Sequence, residues 1–433
     1  MSGQPPPDRP PWWFRYLFAF VRTPAPLDAR QWSLLGLLGL TLLINHYDFA
    51  LLSLALPQIQ TGLAVPEDRI GGVMASVRLG VVPAILLAFL ADRMGRRRLL
   101  VATILGFTLC TTLTAFARDA AEFAAFQFFA RMFIAAEEML AVVVLAEELG
   151  AESRGFGIGI LAAFGALGFG AAALALALVD VLPFGWRALY LVGAAPLLWV
   201  AWLRRRIPET RRFEAEREAR RGESGLAASL RPLRDLVRLY PRRMLALCAA
   251  IIPSALVLIT AGGFVSKFLQ DERGWRPGQV TLLYAVAGFL VFVATVASGS
   301  LADRFGRRRV MTTALLLNAI GIAGFYHGSA GWIVAFWVVM MASSVGVDVL
   351  FGALGSELFP TSYRSTASGV RAAVGTIAGS AGLWLEGWIF PMAGSHAQAI
   401  TWMLGLAWIA PVVVVLLLPE TARRELEEIA PAG

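Results

Sequence analysis

The sequence predicts an all-α membrane protein with twelve transmembrane helices in two pseudo-symmetric six-helix bundles. Three observations carry that prediction. The 433 residues are 58% hydrophobic and 16% charged, whereas an ordinary soluble domain is roughly 25% charged. Twelve apolar runs of spanning length follow one another, centred near Leu43, Val81, Thr108, Phe133, Leu167, Pro196, Ala255, Leu290, Ile320, Ser344, Ala378 and Leu406. At ~20 residues each they need ~240 residues, which leaves room for short loops and one longer connection. The landmarks of the first half also return in the second at a nearly constant spacing.

Residues 1–32 form a leader in which Trp12, Trp13, Phe14, Tyr16, Leu17, Phe18 and Phe20 are interrupted by Arg15 and Arg22. This stretch is too short and broken for a span or a signal peptide, so we expect a helix in the headgroup plane, with a disordered tail as the alternative. Residues 33–204 read as the N-terminal six-helix bundle, 205–243 as a cytoplasmic connecting loop, 244–418 as the C-terminal bundle and 419–433 as a cytoplasmic tail. The connection, with Arg211, Arg212, Glu214, Glu216, Arg217, Glu218 and Arg220, reads as a solvated helix.

Most of the 38 Lys and Arg residues fall in the leader, the connection, the tail and the loops at 93–98, 154, 304–309 and 364; only Arg69, Arg118, Arg187, Arg273 and Arg276 fall on the other face. The positive-inside rule then puts both termini in the cytoplasm. The formal charge of +8 is thus topological, and no basic groove for nucleic acid is visible. Cys110 and Cys248 both lie in apolar runs, so neither a disulfide framework nor a cysteine metal site is expected. No P-loop, histidine cluster or serine-histidine-aspartate arrangement occurs, so neither an enzyme nor a cofactor is expected. The absence of an Asn-x-Ser/Thr acceptor and the short outer loops lean toward a bacterial inner membrane.

The repeat is specific. Leu90-Ala91-Asp92-Arg93-Met94-Gly95-Arg96-Arg97-Arg98 returns as Leu301-Ala302-Asp303-Arg304-Phe305-Gly306-Arg307-Arg308-Arg309, and Pro208-Glu209-Thr210 returns as Pro419-Glu420-Thr421. Glu147, Arg154 and Gly159 repeat as Glu357, Arg364 and Gly369. The doubled G-x-L-A-D-R-x-G-R-R stretch resembles the signature of the major facilitator superfamily, with Ala88 in place of the leading glycine that Gly299 keeps. Glu357 to Arg364 and Gly185-Trp186-Arg187 are similar to sugar-porter stretches, and Tyr47-Asp48-Phe49 is similar to the metabolite:proton symporter branch. The Pro208-Glu209-Thr210-Arg211-Arg212 ending departs from the sugar porters, and the fifth span lacks the Gly-Pro pair of drug antiporters.

The resemblance implies parallel six-helix halves with a solute site at their interface. It also implies that the first, fourth, seventh and tenth spans line the cavity. In each copy an acid, a glycine turn and several arginines share one short loop, which reads as a cytoplasmic gate made of Asp92, Gly95, Arg96, Glu147, Arg154, Asp303, Gly306, Arg307, Glu357 and Arg364. Plain topology is the alternative, since arginine-rich loops face the cytoplasm anyway.

Asp48, Arg78, Arg131, Glu137, Glu138, Asp348, Arg371 and Glu386 fall within spans, where facing lipid costs ~2.5 to 3.5 kcal/mol each on insertion scales. They must point at one another or at a wet cavity. Arg131 and Glu138 are seven apart and share a helix face, with Glu137 turned away. Asn45 and Asp48 share a face beside His46 and Tyr47. We therefore expect a solute and proton pathway formed by Asn45, Tyr47, Asp48, Arg78, Arg131, Glu138, Asp348 and Arg371. Asp48 or Glu138 would carry the proton, and Arg131, helped by Arg78 or Arg371, would meet an anionic group. Desolvation favours a protonated carboxyl and a nearby arginine an ionised one, so protonation depends on which way the cavity opens. Fixed ion pairs bracing the helices are the alternative. Lys267 reads as a snorkelling residue, the glycines from Gly155 to Gly170 as close helix packing, and Trp186, Trp275, Trp332 and Trp388 as interfacial belt residues.

The expected function is secondary active transport of a small polar or anionic organic solute by alternating access, with proton symport. The expected partners are that solute, protons and the lipid bilayer, not nucleic acid, and the expected state is a monomer. A facilitative uniporter, a proton-coupled efflux transporter or a transport-inactive receptor are the alternatives.

Overall fold

The computed structural model describes residues 10–18, 27–94, 96–204, 226–360 and 363–421. The leader forms a short helix, α1 (Trp12–Leu17). The N-terminal half then runs through α2 (Ala29–Leu54), α3 (Leu56–Gly62), α4 (Glu67–Arg78), α5 (Val81–Met94), α6 (Arg96–Thr114), α7 (Ala120–Glu148), α8 (Ala151–Leu176) and α9 (Trp186–Arg204). After α10 (Leu226–Leu239) come α11 (Pro241–Gly263), one turn at Val265–Lys267 and a π-turn at Phe268–Glu272. The chain ends with α12 (Pro277–Phe305), α13 (Arg307–His327), α14 (Ile333–Glu357), α15 (Arg364–Ala393), α16 (His396–Ala407) and α17 (Ile409–Leu417). When α2 with α3, α4 with α5, and α16 with α17 are each counted as one broken crossing, the fold has twelve spans in two halves. Seven helical stretches among the described residues are long and apolar enough to cross a membrane.

Local chemistry sets the breaks. Pro57 lies in the first turn of α3, where a missing N–H costs nothing. Gly80 separates α4 from α5 at a close approach, because a Cβ there would stand 2.2 Å from the Phe128 carbonyl oxygen. Asp119 caps α7 by accepting from the N–H groups of Ala121 and Glu122, both at 2.9 Å. Gly306 turns the chain between α12 and α13 at φ 99°, a conformation that favours glycine.

The described chain forms two compact units. One holds residues 1–52, 80–118 and 125–222; the other holds 53–79, 119–124 and 223–433. The second unit therefore gathers the end of the first span and the start of the second with the C-terminal helices. Large apolar side chains such as Phe116, Phe289, Trp332 and Trp388 stay exposed, as a lipid-facing surface requires.

Two sequence expectations are corrected, those for Trp186 and Lys267. The described part of the leader packs on the first unit through one face, where Phe14 and Phe18 are buried and Trp13 packs edge-on against Trp32 at 5.8 Å, while Trp12, Tyr16 and Leu17 stay exposed. Gly36 admits the Trp13 ring, which lies 3.2 Å from the position of an added Cβ. Trp186 is buried, not part of an interfacial belt. Lys267 does not snorkel; its side chain is 3% exposed and ion-paired with Asp271 at 2.6 Å.

Candidate functional site

In the first unit the polar residues of α2, α6 and α7 meet around Asp48. Asp48 is buried, and the Thr111 hydroxyl of α6 donates to its Oδ1 at 2.7 Å. Gln127 of α7 also hydrogen-bonds the carboxyl group, and its amide donates to Thr114 at 3.1 Å. One turn further along α7, the Arg131 guanidinium lies 4.2 Å above the Phe49 ring, within cation–π range. Its charge acts on both Asp48 and Glu138, while its Nε is buried without a hydrogen-bond partner among the described residues.

Glu138 stands 3.7 Å from His46 Nδ1, and the same nitrogen lies 3.0 Å from the Leu42 carbonyl. Neither amide atom of buried Asn45 has a hydrogen-bond partner among the described residues. Tyr47 is occupied differently. Its hydroxyl donates to the Leu189 carbonyl at 3.0 Å, and its ring covers Gly193, so it serves the packing of α2 on α9. Glu137 is fully buried, in keeping with the face that turns it away from Arg131 and Glu138.

In the second unit, Arg371 of α15 donates to Asp348 of α14 at 2.9 Å, and the Asp348 side chain is 76% exposed. This pair is exposed, in contrast to sealed Asp48. Arg78 of α4 lies against Gly379 of α15, its Nε 3.1 Å from where a Cβ would stand. The expected residues thus form two groups: Asn45, Tyr47, Asp48, Arg131 and Glu138 in one unit, and Arg78, Asp348 and Arg371 in the other.

The doubled motifs converge on one cluster in the second unit. Arg307 pairs with Asp303 at 3.1 Å and with Glu357 at 2.7 Å. Glu420 accepts from the first backbone N–H groups of α13, Arg307 at 2.8 Å and Arg308 at 3.2 Å, where the helix dipole favours a carboxylate. Thr421 donates to Glu357 at 2.6 Å. All three repeated stretches therefore bind one another in this copy. Arg154 donates to the Leu149 carbonyl and Arg364 to the Phe359 carbonyl, at 3.2 and 3.4 Å, the same contact at equivalent positions of the repeat. Glu147 is half-buried. Asp92 ends up in the last turn of α5 and Arg96 at the start of α6, while Gly95 and the side chains of Asp92 and Arg96 lie outside what the structure describes.

Sequence reasoning missed Thr111, Gln127 and Phe49 as members of the Asp48–Arg131 group. A hydroxyl at mid-span is a weak signal, since it is satisfied equally well by its own helix, as Thr108 is through Ile104.

The Major Facilitator Superfamily model matches residues 38–266 and 247–432. A gallate transporter of Pseudomonas putida is 25% identical over 429 residues, covering 90% of this chain and 92% of that protein. A 3-(3-hydroxy-phenyl)propionate transporter of Escherichia coli is 26% identical over 382 residues, covering 85% and 89%. Among solved structures, a D-xylose-proton symporter superposes with a TM-score of 0.70 at 19% identity, covering 90% of this chain and 98% of that one.

Proposed function

The chain belongs to the major facilitator superfamily and is a secondary transporter, and from that premise we propose that it imports a small aromatic carboxylate together with a proton. Asp48 carries the proton and Arg131 receives the solute carboxylate. The observation that carries this reading is the arrangement of Asp48 and Arg131: a sealed carboxyl group held by neutral donors, beside an arginine whose Nε has no hydrogen-bond partner among the described residues and whose face is covered by an aromatic ring. A carboxyl group bound by neutral partners is free to change charge, whereas one locked to an arginine is not. Glu138 with His46 is a second acid within reach of the same arginine, and Asn45 offers amide hydrogen bonds to the solute. Arg371, Asp348 and Arg78 are the ionisable groups that the second unit supplies to the same reading.

The solute class follows from two relatives named for gallate and 3-(3-hydroxy-phenyl)propionate. Both solutes carry one carboxylate on an aromatic frame, which suits a guanidinium stacked on Phe49. The arginine-rich loops face the cytoplasm of a bacterial inner membrane, both termini lie inside, and the working unit is a monomer. There the Arg307–Asp303–Glu357 cluster and its N-terminal equivalent, Asp92, Gly95 and Arg96 with Glu147, act as the inner gate, with Arg154, Arg364 and Gly306 shaping its turns.

The test is accumulation of labelled gallate and 3-(3-hydroxyphenyl)propionate in proteoliposomes with and without a pH gradient. The expected result is gradient-driven accumulation that Asp48→Asn abolishes while solute counterflow survives, and an affinity loss of ~10-fold or more in Arg131→Gln. Accumulation indifferent to the gradient would overturn proton coupling and leave facilitated diffusion.

A further inference from the structure

At the end of the molecule away from the arginine loops, segments far apart in sequence build an ion cluster that the pathway above does not use, with His396, Glu386 and Lys267 buried and Glu67 and Asp271 reaching the surface. Lys267, the single lysine of the chain, donates to Asp271 at 2.6 Å, to Glu67 at 3.2 Å and to Gln60 of α3. Glu67, the first residue of α4, places its Oε2 2.8 Å from His396 Nε2. Glu386 of α15 places its Oε1 2.6 Å from His396 Nδ1. His396 and Glu386 are 5% and 0% exposed. The imidazole sits against Phe264 and Phe390, each centroid 4.5 Å away. Two glycines let α4 and α15 close on one another: a Cβ at Gly71 would stand 2.4 Å from the Leu383 carbonyl oxygen, and one at Gly387 2.5 Å from that of Asp68.

A neutral imidazole has one N–H and one lone pair. With a carboxylate at hydrogen-bond distance from each ring nitrogen, it satisfies one and sets its lone pair against the other. The arrangement therefore needs one proton more than a neutral ring and two ionised carboxylates supply, whether that proton rests on the ring or on a carboxyl group. We propose that His396, bridging Glu67 and Glu386, is a proton-operated latch that holds α4 against α15 when it has taken up a proton and releases them when it has lost it. The remaining charges around it favour this sign. Among the described residues Lys267 is the cation bonded to the cluster, where it is shared by Glu67 and Asp271, and without the proton Glu386 faces the ring with no cation bonded to it among those residues. Glu272 lies close by and acts with Glu386 on Tyr326, whose hydroxyl is itself bound to the Ala261 carbonyl at 2.6 Å. Asp68 and Arg69 follow Glu67 on the same helix.

The two carboxylates bond opposite nitrogens of the ring and do not converge on one point, which separates this site from a metal centre. With the orientation proposed above, the latch faces the outside, and an acidic exterior closes it. That orientation alone is taken from the transport reading, because proton uptake on closing is a property of the cluster itself.

Hydrogen–deuterium exchange of the full-length chain in lipid nanodiscs, with no solute present, tests the latch. After correction for intrinsic chemistry, amides in 64–72 and 394–400 should exchange ~10-fold or more faster at about pH 8 than at about pH 5.5. In His396→Gln exchange should be fast at both pH values. In Glu386→Gln it should be slow at both, because a neutral ring then donates to Glu67 and accepts from the new amide without an extra proton. Wild-type exchange that ignores pH, or a Glu386→Gln protein that keeps the wild-type dependence, overturns the latch. Glu386→Gln is nearly isosteric and decides the matter even where His396→Gln fails to fold. The measurement involves no transport, so loss of the latch and loss of Asp48 coupling are read separately.

Discussion

Asp48 is held by a neutral hydroxyl, with the nearest cation acting only through space. Thr111→Val keeps the shape and removes that donor. A hydrogen bond to a charged group contributes ~1.5 to 3 kcal/mol, so the variant should lose about that much stability in detergent melting. In an Asp48→Asn background the same change should cost ~1 kcal/mol less, because a neutral acceptor depends less on the donor. Equal costs in both backgrounds would assign the hydroxyl to bracing the helix and not to the carboxyl group. At the other end of the chain, Glu420→Ala should cost ~1 kcal/mol by stripping the start of α13 of its carboxylate. Residue identity was legible here only in part. Asp48 and Arg131 stand out because charges in a span must have a reason, whereas Thr111 and Phe49 look like any other residues of an apolar helix.

At the scale of elements, the glycines of α8 divide by position. A Cβ at Gly168 would stand 2.0 Å from the Leu43 carbonyl oxygen, and one at Gly165 3.0 Å from the His46 ring, while Gly155, Gly159 and Gly170 face open space. The close-packing expectation therefore holds for the face of α8 that meets α2 and not for the whole series. Gly168→Ala should destabilise by ~1 to 3 kcal/mol through forced separation of backbones. Gly159→Ala should be neutral or stabilise by up to ~1 kcal/mol through its helix propensity. The pair is compared by thermal unfolding in one detergent, and similar losses in both would mean that α8 does not pack as described. The spans themselves were readable from hydropathy, since length and composition decide whether a helix crosses lipid. Their breaks at Leu79–Gly80 and at Phe268–Glu272 were not, because neither changes the hydropathy of the run.

Over the whole molecule, the repeat tells which residues are equivalent but not which faces meet. Equivalence is visible in the matched contacts of Arg154 and Arg364. The contact between His396 and Glu67 spans 329 residues and leaves no periodic trace, so nothing in the sequence ties Lys267, Glu386 and His396 together. Charge asymmetry speaks instead to orientation, because arginine resists translocation and short loops obey the bias most strictly. That gives a test independent of substrate. In a protein with Cys110 and Cys248 replaced by serine, a cysteine at Ser329, exposed between α13 and α14, should react with a membrane-impermeant maleimide in intact cells. A cysteine at Glu218, in the arginine-rich connection, should react only after lysis. The inverse pattern would place the Arg307 cluster outside and the His396 cluster inside, and an acidic exterior could then no longer act on His396 directly.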